Sequence, residues 1–189
     1  MASVQEPIVV TEPVKEPLSL AEAKDHLNEL ESEHDSKING LIKAARLEAE
    51  RQTGRALINQ TLQVALDKFS QVIELPMPPL KSVESITYVD PDGNTQTLGV
   101  SVYRVDIKST PGRVTLADGQ SWPDILPVAS SIVIEFIAGY GNEGGDVPES
   151  IRQGMRLYLT KHYDLDARVG AYLDQAIKSS FNQKKVYGI

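Results

Sequence analysis

The residues with the most chemical promise lie between 139 and 146. Gly139-Tyr140-Gly141-Asn142-Glu143-Gly144 spells GxGxxG, the spacing with which a dinucleotide-binding turn lays backbone amides against a pyrophosphate. The neighbouring residues argue against phosphate. In a dinucleotide site the helix begins inside the motif, and a second parallel strand ends in an acid about 20 residues later. Here the helix waits for Pro148, Glu143 and Asp146 put negative charge where a phosphate would sit, and a helix rather than a strand follows Asp164. No Lys-Ser or Lys-Thr pair follows the glycines, so the P-loop pattern is missing too. The stretch reads instead as a structural turn of Gly139, Tyr140, Gly141 and Pro148. Gly141 and Gly139 are expected to take backbone angles that other residues avoid, and Pro148 suits a first helical turn, where its missing N–H needs no partner.

The other candidates are weaker. His26, His34 and His162 are far apart and form no HxH or HExxH spacing. His162 falls at a helix end, where a cation is favourable. Glu29, Glu31, Glu33 and Asp35 lack the glycine and terminal glutamate of an EF-hand loop and read as a solvated acidic loop. There is no GxSxG elbow and no cysteine, which removes serine-elbow and cysteine nucleophiles, thiolate zinc sites and disulfides together. The expectation is a protein that is not an enzyme, with no catalytic residue, no cofactor and no metal.

The elements around the glycine turn follow from periodicity. Ile132, Ile134 and Phe136 fall on one strand face, with Val133 and Ile137 on the other, predicting a strand buried on both faces. After Pro148, the spacing of Ile151, Met155, Tyr158, Leu159 and His162 predicts an amphipathic helix to about Tyr163. A last helix is expected from about Val169 to Ser180, with Tyr172, Ala176 and Ile177 as its apolar side. Upstream, Ser19 with Glu22 forms a capping box ahead of a Leu20, Ala23, Leu27, Leu30 stripe. A second helix from Asp35 or Ser36 carries Ile38, Leu41, Ile42, Ala45 and Ala49 and ends at Gly54. Gly40 inside it weakens the helix and suggests close packing. From Ile58 the period becomes two, and Asp90-Pro91-Asp92-Gly93-Asn94 is a strong hairpin turn. The expected fold is α+β: a bundle of about four helices with an inserted antiparallel β-sheet and extended arms. Its parts are an N-terminal arm (1–17) and a main domain (18–180). The latter comprises a helical hairpin (18–54), a β region (57–138) and C-terminal helices (148–180), and a tail (181–189) follows.

With 189 residues, 41% hydrophobic and 24% charged, the chain suits one ordinary domain with arms. No stretch approaches the roughly 20 apolar residues of a membrane span, and the first residues lack the pattern of a signal peptide. The absence of cysteine is compatible with a reducing cytoplasm. A net charge of −7 argues against a surface that wraps nucleic acid.

The order Leu18-Ser19-Leu20-Ala21-Glu22-Ala23-Lys24, Thr53-Gly54-Arg55, Leu75-Pro76, Pro79-Leu80-Lys81-Ser82-Val83, the Gly93 hairpin, Trp122-Pro123 and Phe136-Ile137-Ala138-Gly139-Tyr140-Gly141 before Val147-Pro148 resembles the head-to-tail connector (adaptor) proteins of tailed phages related to the phage HK97 connector. The resemblance covers about Leu18 to Asp164. It implies a structural virion protein, made in the host cytoplasm and placed in the neck. Its copies would form a twelve-fold ring beneath the portal protein, joined to a downstream neck or tail protein, with DNA only as passing cargo and no membrane contact. The alternatives are a tail-completion (stopper) protein and a small-ligand-binding module. The family often closes with a leucine-rich helix and a Tyr-Arg pair, which this chain lacks.

Assembly contacts are expected at Pro7, Pro13 and Pro17 in the arm and at Lys184, Lys185 and Tyr187 in the tail. Trp122 is either an interface anchor or part of a satellite hydrophobic cluster. A channel that passes DNA is expected to be lined by acid, with Glu29 to Asp35, Glu143 and Asp146 as candidates.

Overall fold

The computed structural model describes residues 6–163 and 170–185. Among them the order of elements is β1 (Ile8–Thr11), α1 (Leu20–Leu27), α2 (Asp35–Thr53), β2 (Gln60–Leu66), β3 (Val72–Leu75), β4 (Leu80–Val89), β5 (Thr95–Thr97), β6 (Tyr103–Asp106), β7 (Gly112–Leu116), β8 (Ile132–Ala138), α3 (Glu149–Tyr163) and α4 (Gly170–Asn182). The α+β class and the four helices agree with the sequence reading. The chain divides into two compact units, one of residues 6–12 with Asn59–Gly139, the other of Pro13–Ile58 with the described residues from Tyr140 onward.

In the first unit the antiparallel region forms two sheets rather than the single one expected, a five-stranded sheet ordered β1-β2-β8-β4-β5 and a three-stranded sheet ordered β3-β7-β6. Alternation sets the register of the larger sheet. Leu62, Val64 and Leu66 of β2 stand opposite Phe136, Ile134 and Ile132 of β8, and all six are buried. A slip of one residue would turn every one of them to the other face, so this pattern fixes the pairing. The other face of β8 is only half-buried at Val133, Glu135 and Ile137, which corrects the expectation of a strand buried on both faces. Asp90 shapes the β4–β5 turn: its carboxylate accepts from the amides of Asp92 (3.0 Å) and Asn94 (2.8 Å), and Gly93 sits at φ +87°.

The arm departs from expectation. Ile8, Val9 and Val10 are β-branched, and the strand they form pairs with β2 at the sheet's edge, so residues 8–11 join a sheet of their own chain.

The second unit is helical. Ile38, Ile42, Ala45 and Ala49 of α2 meet Ile151, Met155 and Leu159 of α3 and Leu173, Ile177 and Phe181 of α4 in one core. Burying each large aliphatic or aromatic side chain contributes about 1.5–3 kcal/mol. Ser19 and Glu22 form the expected capping box, and Asn28 (φ 54°) and Gly54 (φ 66°) close α1 and α2 in the left-handed conformation.

Three apolar assignments change. Leu30 lies beyond α1 and is 91% exposed, because Asn28 has already ended the helix. Tyr172 is exposed, and the buried side of α4 is Leu173, Ile177 and Phe181 at four-residue spacing. Phe181 is therefore core, and the helix runs through Asn182 rather than giving way to a tail at 181.

Two helical glycines have opposite environments. A Cβ on Gly154 would lie 2.5 Å from a ring carbon of buried Phe181, whereas a Cβ on Gly40 would meet nothing within 4 Å. Gly40 is thus not a site of close packing among the described residues. Gly154→Ala is expected to destabilise by about 1–3 kcal/mol through overpacking, and Gly40→Ala to stabilise by about 0.5–1 kcal/mol. Urea midpoints of the two variants should move in opposite directions.

Candidate functional site

Two glycines of the 139–146 turn are required for different reasons. Gly139 has φ +150°, a conformation that L side chains rarely adopt. Gly141 is outside the positive-φ region, contrary to expectation. Its constraint is contact: a Cβ there would lie 2.0 Å from Asp146 Oδ2 and 2.7 Å from Asp146 Cβ. That carboxylate folds back into the turn and accepts from the Glu143 amide at 3.0 Å. Gly144 is a third constraint, since its Cβ would lie 2.5 Å from the Pro17 carbonyl oxygen. The Tyr140 amide donates to the Leu57 carbonyl at 3.2 Å, and burial pushes the Tyr140 hydroxyl above the usual phenol range. After a one-turn 3-10 segment at Gly144–Asp146, α3 begins with the Ile151 amide donating to the Pro148 carbonyl. The turn's charge is already committed, because Glu143 pairs with Lys15 and Asp146 caps Glu143.

Beside the turn lies a cluster that sequence reasoning missed. Arg46 of α2 is 2% exposed, with Nε donating to Glu16 at 2.8 Å and a terminal nitrogen donating to Glu50 at 3.0 Å. The second oxygen of Glu50 accepts from the Leu57 amide at 3.0 Å. Arg152 of α3 donates from Nε to the Pro17 carbonyl at 3.1 Å and pairs with Glu22 and Glu149. The Ser19 amide, helped by Arg152, holds the Glu22 carboxyl below its usual range. A signal existed: Arg46 and Glu50 lie four apart, inside the stripe of Ile42, Ala45 and Ala49. These groups hold the chain from Lys15 to Ser19 in place.

The acidic loop is partly neutralised within the unit. Glu29 accepts from the Tyr163 hydroxyl and the Glu31 amide and meets His34 at 3.1 Å. Together they hold its pKa at about 2, the Tyr163 hydroxyl contributing most. Lys37 stands 4.4 Å over the Tyr163 ring, and Lys24 reaches Asp35 at 2.6 Å. Among the described residues, no group of three or more His, Cys, Asp or Glu is placed to hold a metal ion. No described helix is long and apolar enough to cross a membrane.

The residues singled out for assembly are dispersed. Pro7 precedes β1 and is half-buried, as is Pro13, while Pro17 is buried against its own chain, because Arg152 and Gly144 engage its carbonyl. Trp122 stacks on Phe69 with centroids 4.6 Å apart, and Phe69 meets Tyr88 edge-on. Lys184 and Lys185 are exposed just after α4, with the Lys184 carbonyl accepting from Arg55. Tyr187 lies outside the described residues.

Gly141→Ala is expected to destabilise by about 1–3 kcal/mol, since Asp146 must leave the turn. Gly145→Ala, whose Cβ would meet nothing within 4 Å, should stay within about 0.5 kcal/mol of the parent; thermal melts of the pair check this. Glu50→Ala should cost about 3–5 kcal/mol by leaving a buried guanidinium short of one partner, a loss readable in urea unfolding. The Glu29 contribution has the opposite pH sense to a histidine's. Its folded pKa is depressed from 4.5 to about 2, so the stabilisation is full above the unfolded value and is lost as pH falls through about 2. Tyr163→Phe should raise the Glu29 midpoint in an NMR titration.

Comparison with known proteins gives fold correspondence. No family model and no curated protein matches the chain. Among solved structures, a chain in the virion of a native gene transfer agent (GTA) particle matches with a TM-score of 0.79 at 22% identity, covering 98% of this chain and 97% of that one. A chain in the neck of an empty GTA particle, computed with C6 symmetry, gives 0.77 at 22% identity, with 98% and 97% covered. A chain in the neck of a native GTA particle, computed with C12 symmetry, gives 0.73 at 21% identity, with 98% of both chains covered. The chain therefore shares, over nearly its whole length, the fold of chains found in phage-like particles.

Proposed function

We infer that this protein is a structural neck component of a phage-like particle, a head-to-tail connector whose copies form a ring, twelve-fold in the reading we favour. The ring sits beneath the portal, receives the next neck or tail protein on its far side and lets DNA pass. One observation carries this reading: a match spanning 98% of the chain to a chain from a neck computed with C12 symmetry. The order of motifs resembling the HK97-type connectors points the same way, and nothing in the turn at 139–146 is arranged for catalysis.

The surface suits repeated contact. A ring requires heterologous interfaces, in which one patch on each copy meets a different patch on the next. Val14 and Leu30 are more than nine-tenths exposed, and Val100 and Tyr172 also stand in solvent, at separate places in the sequence. The acidic wall proposed for the channel narrows to Glu31 and Glu33, because Glu29, Asp35, Glu143 and Asp146 have partners within their own unit. Acid there repels the duplex over a Debye length of about 8 Å and lets it slide. Lys184 and Lys185 then serve as contacts between subunits.

Particles made without this protein are expected to accumulate as separate heads and tails, with joined particles restored on supplying the full chain. Electron microscopy reads the outcome. Normal joined particles in its absence would contradict a connector role.

A further inference from the structure

β1 is held to its sheet along one edge only. It pairs with β2 at the end of the five-stranded sheet, with Ile8 opposite Gln63, Val9 opposite Leu62 and Thr11 opposite Thr61. Ile8 is 65%, Val9 48% and Val10 49% exposed, so the pairing buries little apolar surface beyond its backbone hydrogen bonds. Local opening is cheapest where few apolar contacts are lost, and this four-residue strand meets that condition. β2 does not. Its Leu62, Val64 and Leu66 are buried opposite β8 along a seven-residue register, which holds β2 in place with or without β1.

The chain that follows β1 limits what a detached strand can do. After Glu12 the backbone leaves the unit that holds β1 and enters the helical one. There Lys15 pairs with Glu143, Glu16 pairs with buried Arg46, and the Pro17 carbonyl accepts from Arg152. Release of β1 therefore stops at this anchor and leaves α1 in place. Between strand and anchor lie Pro13 and Val14, the latter 96% exposed. They form a short hinge, and proline removes conformational freedom that an extended hinge would otherwise lose. A strand on a short hinge beside an anchored segment is an arrangement that lends itself to exchange of identical elements between copies.

The strand that fits a vacated β2 edge is seen in the structure itself. β2 accepts β1 in one register, the shift between Val9 and Thr11 included, so β1 of another copy re-forms each of these pairs. Exchange is then close to neutral in backbone hydrogen bonds. What it adds is a link between copies, strengthened where ring closure makes the last pairing intramolecular. Each copy gives β1 and receives on β2, two different segments, so the contact is heterologous, as a ring requires.

We propose that on assembly β1 of each copy leaves its own β2 and pairs with β2 of the next, so that exchanged strands join neighbours around the ring. This rests on the ring assembly proposed above and adds the segment that links its copies.

The chain has no cysteine, so a disulfide placed across the β1–β2 pair reports which copy supplies each strand. Two double variants, Ile8→Cys with Gln63→Cys and Thr11→Cys with Thr61→Cys, are made in full-length protein assembled into particles; none of the four residues is buried. Opposed Cα atoms of an antiparallel pair stand about 4.5–5.5 Å apart, within the span of a disulfide. After oxidation carried to completion, exchanged strands should give a ladder extending beyond dimers on a non-reducing gel in at least one double variant. Each single variant should stay monomeric. Monomer bands alone from both doubles, in particles whose necks carry the ring, would overturn the exchange while leaving the connector reading intact, whether the thiols are joined within one copy or still react with a maleimide. Bands that stop at dimers would overturn it in favour of reciprocal exchange between two copies, and dimers from Ile8→Cys or Thr11→Cys alone would do so in favour of β1 self-pairing. Necks without a ring of this chain, seen by electron microscopy in the same preparation, would instead remove the connector reading itself.

Discussion

The helical unit depends on a guanidinium withdrawn from water. Arg46 is stable in its buried position only because Glu16 and Glu50 both accept from it, and Glu50 passes the constraint to the Leu57 amide. One cation thus ties together the segment that enters α1, the second half of α2 and the chain leaving α2. A buried ion pair adds little net stability over well-packed apolar residues, yet removal of either partner is costly. Its effect here is to fix position. With Arg152 on the Pro17 carbonyl, it assigns residues 15–19 to the fold and divides the N-terminal region into an anchored part and the exposed strand before it.

The same division explains the turn at 139–146. Its glycines admit Asp146 and the Pro17 carbonyl at distances no side chain would permit, so the turn and the anchored segment are mutually dependent. A phosphate site would need open amides and positive charge; this turn closes on its own carboxylate and spends Lys15 on Glu143. The GxGxxG spacing and the chemistry it suggests therefore separate: the spacing arises from close packing of backbone and short side chains.

Much of the fold was legible because local rules and tertiary packing agree. The alternation in β8, the Asp90 turn, the Ser19 capping box and Gly54 each state one outcome in a short window. What escaped depends on contacts distant in sequence. Residues 8–10 read as part of a proline-punctuated arm, and only β2, some fifty residues away, makes them a strand. The spacing of Arg46 and Glu50 inside the apolar stripe is visible in the sequence, but the second partner of Arg46, Glu16 from 30 residues earlier, is not. Phe181 continues the Leu173 and Ile177 spacing, but the basic residues after it gave the segment the look of a tail. The pattern marks Gly141 as necessary but not why, since crowding by Asp146 leaves no trace in a sequence pattern. The candidate assembly surface was the least legible part, because exposure of apolar residues is a property of the folded chain.

The ring of copies proposed for the neck of a phage-like particle is open to direct observation. The most direct measurement is a cryo-electron microscopy reconstruction of the neck of particles that contain it, calculated without imposed symmetry. The account predicts a closed ring, built from repeated copies of this fold, seated between the portal and the next neck or tail protein around a channel wide enough for duplex DNA. A neck in which this fold is missing, or is present as a single copy away from the channel, would contradict it.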